Sequence, residues 1–238
     1  MAILGCLAGF VLDEMIARLA REPYERGEIE DDDLRLKKDG GASLEFSSET
    51  GALAMPRALT SASHVRRAIV VVATTALFAF AARQYDGDLL YLAIVAAYVA
   101  VLIVCTGTDV LAYRVPNVVT YPAILGALAI GLLLDDANKA DVLVGGLLTG
   151  GTFFVMAIVT RGGMGMGDVK LAFFTGFALG LTFGVQALLI TAIAGGVIAV
   201  LLLAARLRDR RDPIPYAPFI AGGALYVMLL HGTAFVSL

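Results

Sequence analysis

Residues 89–108 read LLYLAIVAAYVAVLIVCTGT, a run without a single charge that closes on Asp109. A helix crossing the hydrocarbon core of a bilayer needs about 20 apolar residues, and this run supplies them before its first acid. It has companions. Residues 1–12, 68–82, 115–134, 142–160, 171–205 and 213–238 are likewise uncharged. The run 68–82 reaches spanning length when Arg67 and Arg83 snorkel to the two interfaces. The first run borrows Asp13 to Leu19; no basic region precedes it and no clear A-x-A site follows, so it reads as a span rather than a cleaved signal peptide. The run 171–205 is too long for one helix and short for two. It carries Gly176, Gly180 and Gly184, and it splits near Gly180–Gly184. That leaves a short helix from about Asp168 to Leu179 and a full one from about Val185 to Ala205. The expected fold is all-α, a polytopic membrane helical bundle of about eight transmembrane segments.

Composition agrees. Of 238 residues, 59% are hydrophobic and 16% charged, with mean hydropathy +0.83. A soluble domain carries about 25% charged residues, and a disordered chain is far less apolar. A net charge of −3 offers nucleic acid no basic patch. Cys6 and Cys105 sit in apolar runs and make no CxxC pair. The bases fix a topology, because Lys and Arg gather in cytoplasmic loops. Of 18 bases, all but Arg83 and Lys139 fall on one side of the eight-segment arrangement. Asp86, Asp88, Asp135, Asp136 and Asp141 accompany those two on the other. Both termini are expected on the non-cytoplasmic face. The chain divides into a first transmembrane segment (1–19), a polar cytoplasmic loop (20–64) and a membrane-embedded domain (65–238). The loop is too short and polar to bury a core alone. Its acidic run, Glu28–Asp33, reads as a solvated face that could also attract a basic peptide.

Two acids stand apart from the loops. An ionisable residue at membrane depth is expensive to hold there and marks a functional candidate. Asp109 ends its uncharged run, and Asp168 opens the short sixth segment in Gly165-Met166-Gly167-Asp168-Val169-Lys170. Both fall on the cytoplasmic side. On spacing alone, Asp168 also reads as a helix N-cap and Asp109 as a span end. Lys170 and Arg114 read as inner-face anchors. Pro215 and Pro218 start or kink the eighth segment.

The neighbouring residues sharpen this. Asp109-Val110-Leu111-Ala112-Tyr113-Arg114-Val115-Pro116-Asn117 resembles the D-x5-[LIV]-P-[DN] motif of the type IV prepilin peptidases. Gly165 to Leu171 is similar to their GxGDxKL motif. Ile214-Pro215-Tyr216-Ala217-Pro218-Phe219-Ile220-Ala221-Gly222-Gly223 resembles their IPFGPFLAxG segment. Gly9 to Leu19 is similar to their GSFLNVVIYRLP segment, with Arg18 and Leu19 matching and Asp13 where Asn is usual. The motifs occur in order and cover nearly the whole chain. The resemblance implies the GxGD aspartyl protease fold and a membrane endopeptidase that removes the short leader of prepilins or pseudopilins. Asp109 and Asp168 take the catalytic roles, and Gly165, Gly167, Lys170, Pro215 and Pro218 shape the site. The implied location is the cell membrane, multi-pass, with the site facing the cytoplasm. Many bacterial members also carry a tetracysteine zinc site linked to N-methylation of the new N-terminus. Residues 20–64 contain no Cys, and structural zinc needs several Cys or His ligands. No metal or other cofactor is therefore expected, and methyltransferase activity is doubtful.

Two carboxyl groups suffice for peptide hydrolysis. One, ionised, takes a proton from water while the other, protonated, hydrogen-bonds the scissile carbonyl. Helix ends bias the pair, since a helix is negative at its C-terminus and positive at its N-terminus. That assigns Asp168 as the initial base and Asp109 as the acid. HExxH zinc chemistry is excluded, because His64 and His231 lie on opposite expected sides. Serine chemistry needs Ser and a base together, and no serine lies inside an expected span. Two readings from other classes stay open on the residues alone. One is a transporter or channel whose aspartates relay protons or bind cations. The other is a catalytically silent assembly factor of a pilus machine.

Overall fold

A computed structural model of the chain describes residues 3–20, 57–85, 88–160, 164–205, 215–234 and 236–237. Nearly all of them are helical. Helix α1 covers 3–20. It is followed by α2 (Arg57–Gln84), α3 (Leu89–Ala112), α4 (Asn117–Leu133), α5 (Lys139–Val159), α6 (Met166–Ala204) and α7 (Ala217–Leu230). Most of the polar stretch 20–64, Arg161 and the Arg206–Arg211 cluster lie outside the described residues. Helix α2 begins at Arg57 and takes in the end of that stretch. Among the described residues, four helices are long and apolar enough to cross a membrane: His64–Gln84 within α2, α3, α5, and Met166–Leu201 within α6. Helices α4 and α7 are shorter and apolar. The chain is an all-α membrane helical protein.

Local chemistry sets the helix ends. Asp88 caps α3, its carboxylate accepting from the N–H groups of Leu90 and Tyr91. Asn138 caps α5 in the same way through Ala140 and Asp141. Each such cap stabilises a helix by roughly 1 kcal/mol. Helix α3 ends at Tyr113, whose backbone is left-handed at φ 50°. A non-glycine residue pays about 1 kcal/mol for that conformation, and here it turns the chain sharply into Pro116, the N-cap of α4.

The expected break in 171–205 falls at Gly180, with φ 75° and ψ −174°. It is a reversal. A Cβ on Gly184 would lie 3.6 Å from the Cα of Gly176, whereas residues two turns apart in one helix are separated by about 12 Å. The two halves of α6 therefore run back along each other. The carboxylate of Asp141 accepts from the Leu181 N–H at 3.1 Å and so caps the second half. Helix α5 lies close against the first half. Gly146 and Gly150 face the rings of Phe177 and Phe173, and Gly145 meets the Gly180–Leu181 backbone. Small residues of this kind let membrane helices approach closely.

The last expected segment, 213–238, is helical only to Leu230. Gly232, at φ 117°, leaves the helix, and Gly232–Thr233 pairs antiparallel with Val236–Ser237. The Ala234 N–H donates to the Ala178 carbonyl at 3.2 Å, which docks this short hairpin beside the Gly180 turn. At the same end, the Gln84 side chain donates to the Leu229 carbonyl and the Tyr85 hydroxyl to the Met228 carbonyl at 2.7 Å. Burial pushes the Tyr85 phenol above the usual tyrosine range, so it remains a donor. Between the two ends lies a core of Val95, Val99, Leu102, Leu171 and Phe174, with Tyr98 set edge-on to Phe174 at 5.4 Å. Helix α1 packs against α2, Gly5 at Thr75 and Gly9 at Val71.

Candidate active site

The other end of the bundle collects the acids. Asp109 lies in the last turn of α3 and is 6% exposed. Its backbone carbonyl accepts from the Tyr113 N–H at 2.8 Å, the bond that closes the helix. Asp168 lies in the first turn of α6 and is 8% exposed. Its backbone N–H donates to the Gly165 carbonyl at 3.1 Å. The two side chains are near enough to feel each other's charge. Two chain segments separated by an intervening helix pair thus bring a buried carboxyl each to one place.

The first turn of α7 completes the site. The Ala217 N–H donates to Asp109 Oδ2 at 3.0 Å. Pro218 follows in that turn, where proline suits a helix start. Pro215 stands ahead of the helix, one residue before Tyr216. The Tyr216 phenol feels the Asp168 charge, and its ring lies between Phe153 at 6.0 Å and Phe219 at 5.7 Å. Tyr216 lies inside a quoted motif but was not singled out from sequence. Its aromatic character is legible there; its nearness to Asp168 is not.

The two glycines of the GxGD stretch stand in different surroundings. Neither Gly165 nor Gly167 has a positive φ, so neither is there for a turn that only glycine permits. Gly167 is a contact. A Cβ on it would sit 2.7 Å from Val115 Cβ, which wedges the start of α6 against the chain leaving α3. Gly165 is roomier, with its virtual Cβ 3.4 Å from Asp168 Oδ2. Lys170 donates from Nζ to Asn117 Oδ1 at 2.6 Å and lies 4.6 Å over the Tyr121 ring. It ties α6 to α4 at the edge of the site. Arg114 is exposed.

Helix ends bear on the two acids differently from the expectation that set α3 against α6. Asp109 belongs to the C-terminal end of α3, but its carboxylate accepts from the N-terminus of α7. Asp168 sits at the N-terminus of α6. Both carboxyl groups therefore meet helix N-termini, and helix ends do not distinguish base from acid.

A second polar cluster lies between α1 and α2. Asp13 is fully buried. It accepts from Arg66 Nε at 2.7 Å, Arg66 Nη2 at 3.3 Å and Arg67 Nε at 3.1 Å. His64 is near this end and His231 at the far end, beside Phe183. Among the described residues, no group of three or more His, Cys, Asp or Glu side chains is placed to hold a metal ion.

The fold and site define a membrane helical protein with two buried carboxyls at one end of its bundle. Residues 96–200 match the model of the type IV leader peptidase family, and that stretch contains both Asp109 and Asp168. The prepilin leader peptidase/N-methyltransferase of Bacillus subtilis (strain 168) is 32% identical over 167 residues, 69% of this chain and 65% of that protein. Those of Burkholderia pseudomallei strains 1026b and K96243 are 30% identical over 146 residues, 57% of this chain and 45% of those proteins. The chain thus spans 65% and 45% of the length of these curated relatives. The resemblance to the type IV prepilin peptidases is borne out by these matches. No solved structure matches the chain.

Proposed function

We propose that the chain is a membrane aspartic endopeptidase that removes the short N-terminal leader of prepilin-like substrates. The observation that carries this reading is the burial of Asp109 and Asp168 at one end of the bundle, inside the stretch similar to leader peptidases. A water held between the carboxyls loses a proton to the ionised one. Its oxygen attacks the scissile carbonyl carbon, and the protonated carboxyl hydrogen-bonds the developing oxyanion. The carboxyl that took the water's proton then passes it to the departing amine as the C–N bond breaks. Two close carboxyls share one proton and titrate as a pair, so the roles exchange within a turnover.

The chain crosses the cell membrane eight times in this reading, with α6 counted as two spans that turn at Gly180. Asp13, Arg66, Asp109 and Asp168 then face the cytoplasm with most of the bases, and Lys139, Asp141 and the Gly180 turn face away. N-methylation is not assigned to this chain, because residues 20–64 lack cysteine. The family match favours peptidase over transporter or channel. Purified protein incubated with a panel of prepilins should shorten them on a gel, and Asp109→Asn and Asp168→Asn should not. Cleavage that survives both substitutions would refute the reading.

A further inference from the structure

Tyr216 is the N-cap of α7, and its neighbour Ala217 holds Asp109 through the backbone N–H at 3.0 Å. The Tyr216 ring is fixed between Phe153 of α5 and Phe219 of α7. Its hydroxyl end lies against the second half of α6, where a Cβ on Gly195 would come within 2.7 Å of the hydroxyl oxygen. Thr191, one turn before Gly195, donates from its hydroxyl to the Phe219 carbonyl at 3.2 Å and ties the same two helices together. The phenol thereby ends at the depth of Asp168. Gly184 lies against Gly176, so along the reversed second half of α6 Ala192 comes level with Asp168. Gly195 lies about one turn, or about 4.5 Å, further toward the same end. At that place the Tyr216 side chain feels the Asp168 charge. Among the described residues, its hydroxyl has no hydrogen-bond partner.

We propose that Tyr216 is a positioning residue of the site, its hydroxyl donating a hydrogen bond to the Asp168 carboxylate whenever that acid is ionised. Its part in the reaction rests on the peptidase reading. Tyr216 then serves Asp168 as the Ala217 N–H serves Asp109. A phenol donates while keeping its proton, so it adds no charge to two carboxyls that share one. Hydrogen bonds of this kind often tighten only when substrate arrives. Packing does not call for the hydroxyl: the related IPFGPFLAxG segment has Phe at this position, which supplies the same ring without the donor. The titratable groups around the bond are Asp109 of α3, with Cys105 one turn before it, and Lys170 of α6 with Tyr121 of α4 at the edge of the site. From α5 and the second half of α6 the neighbours of Tyr216 are Phe153 and Gly195, which do not titrate.

Tyr216→Phe keeps the ring and removes the hydroxyl, so its thermal unfolding midpoint should match that of the parent chain. In vesicles of phosphatidylethanolamine and phosphatidylglycerol, with a prepilin as substrate, kcat should fall about tenfold while KM is kept. The acid limb of kcat against pH should move up by about one unit, because a donor to the ionised form is lost. A second readout needs no substrate. The protonated-carboxyl infrared band that disappears in Asp168→Asn should titrate about one pH unit higher in Tyr216→Phe. A purely packing role for Tyr216 would move neither the limb nor the band. A band that titrates as in the parent chain would overturn the proposal, whether or not prepilins are cleaved. A shifted band with kcat and its acid limb unmoved would overturn the part that Tyr216 plays in the reaction. A shifted band in a chain that cleaves no prepilin would uphold the bond and refute the peptidase reading instead.

Discussion

The backbone N–H of Ala217 donates to the carboxylate of Asp109 at 3.0 Å, joining residues 108 positions apart. It fixes the start of α7 against the end of α3 where Asp168 also arrives. An Asn side-chain oxygen can accept the same bond. Asp109→Asn is therefore expected to keep the fold and lose the chemistry, with leader removal slowed by about 10²–10⁴-fold. Asp109→Leu leaves the Ala217 N–H buried and unpaired, which costs about 1–3 kcal/mol of stability. Cleavage rate and thermal unfolding measured side by side separate the two. Equal unfolding midpoints for the Asn and Leu variants would remove this bond from the account.

The two GxGD glycines are expected to respond unequally. Gly167→Ala drives a methyl to 2.7 Å from Val115 Cβ, a distance that forces the first turn of α6 and Asp168 to shift. A shift of this size at a catalytic group lowers rate by about 10²-fold. Gly165→Ala meets only an ordinary contact at 3.4 Å and should be nearly silent. Val115→Gly, which removes the Cβ that the new methyl meets, should restore part of the activity lost in Gly167→Ala, because the two positions share one contact. No rescue in the double variant would show that Gly167 acts some other way.

Uncharged runs made the class legible because the bilayer imposes a length on every span. The run 171–205 announced a break, and Gly180 takes it. The reversal there was legible too, since two successive spans must turn back between them; what holds the turn was not, since it depends on Asp141 and on α5 lying alongside. The candidate carboxyls were legible from motif and placement. Ala217 as a donor was not, because a backbone N–H leaves no mark on residue identity. For the same reason the helix ends around Asp109 were only half legible: the C-terminus of α3 shows in the sequence, and the N-terminus of α7 against its carboxylate does not. Asp13 was visible as a departure from Asn in the related motif, while its two arginine partners lie 53 and 54 positions away with no periodic signal to join them.

That Asp13 cluster gives a stability prediction. Asp13 is fully buried, while the side chains of Arg66 and Arg67 are 28% and 42% exposed. Removing the acid strands Arg66, while Arg67 keeps Glu14 at 3.7 Å. Removing Arg67 leaves the Arg66 pair in place. Asp13→Leu should thus destabilise by about 1–3 kcal/mol, less than a wholly buried pair would lose because solvent reaches both arginines. Arg67→Met should cost about 1 kcal/mol or less. Thermal unfolding in one detergent ranks them, and an Arg67→Met variant as unstable as Asp13→Leu would mean that the two cations do not share the acid as described.

The turn at Gly180 offers the most direct test of the fold. Its backbone, φ 75° and ψ −174°, lies in a region open essentially to glycine. A Cβ there would also sit 2.2 Å from Asp141 Oδ2. Gly180→Ala therefore strains the backbone and displaces the cap on Leu181. The expected loss is about 1–3 kcal/mol for the backbone, with up to about 1 kcal/mol more for the cap. Asp141→Ala removes only the cap and should lose only the smaller part. Adding Asp141→Ala to Gly180→Ala should then cost less than the sum of the two, because the first substitution has already disturbed the cap. If α6 were one continuous helix, the sign would reverse: Gly180→Ala would stabilise it by up to about 1 kcal/mol. Unfolding midpoints of the two single variants and the double variant decide between the turn and the straight helix.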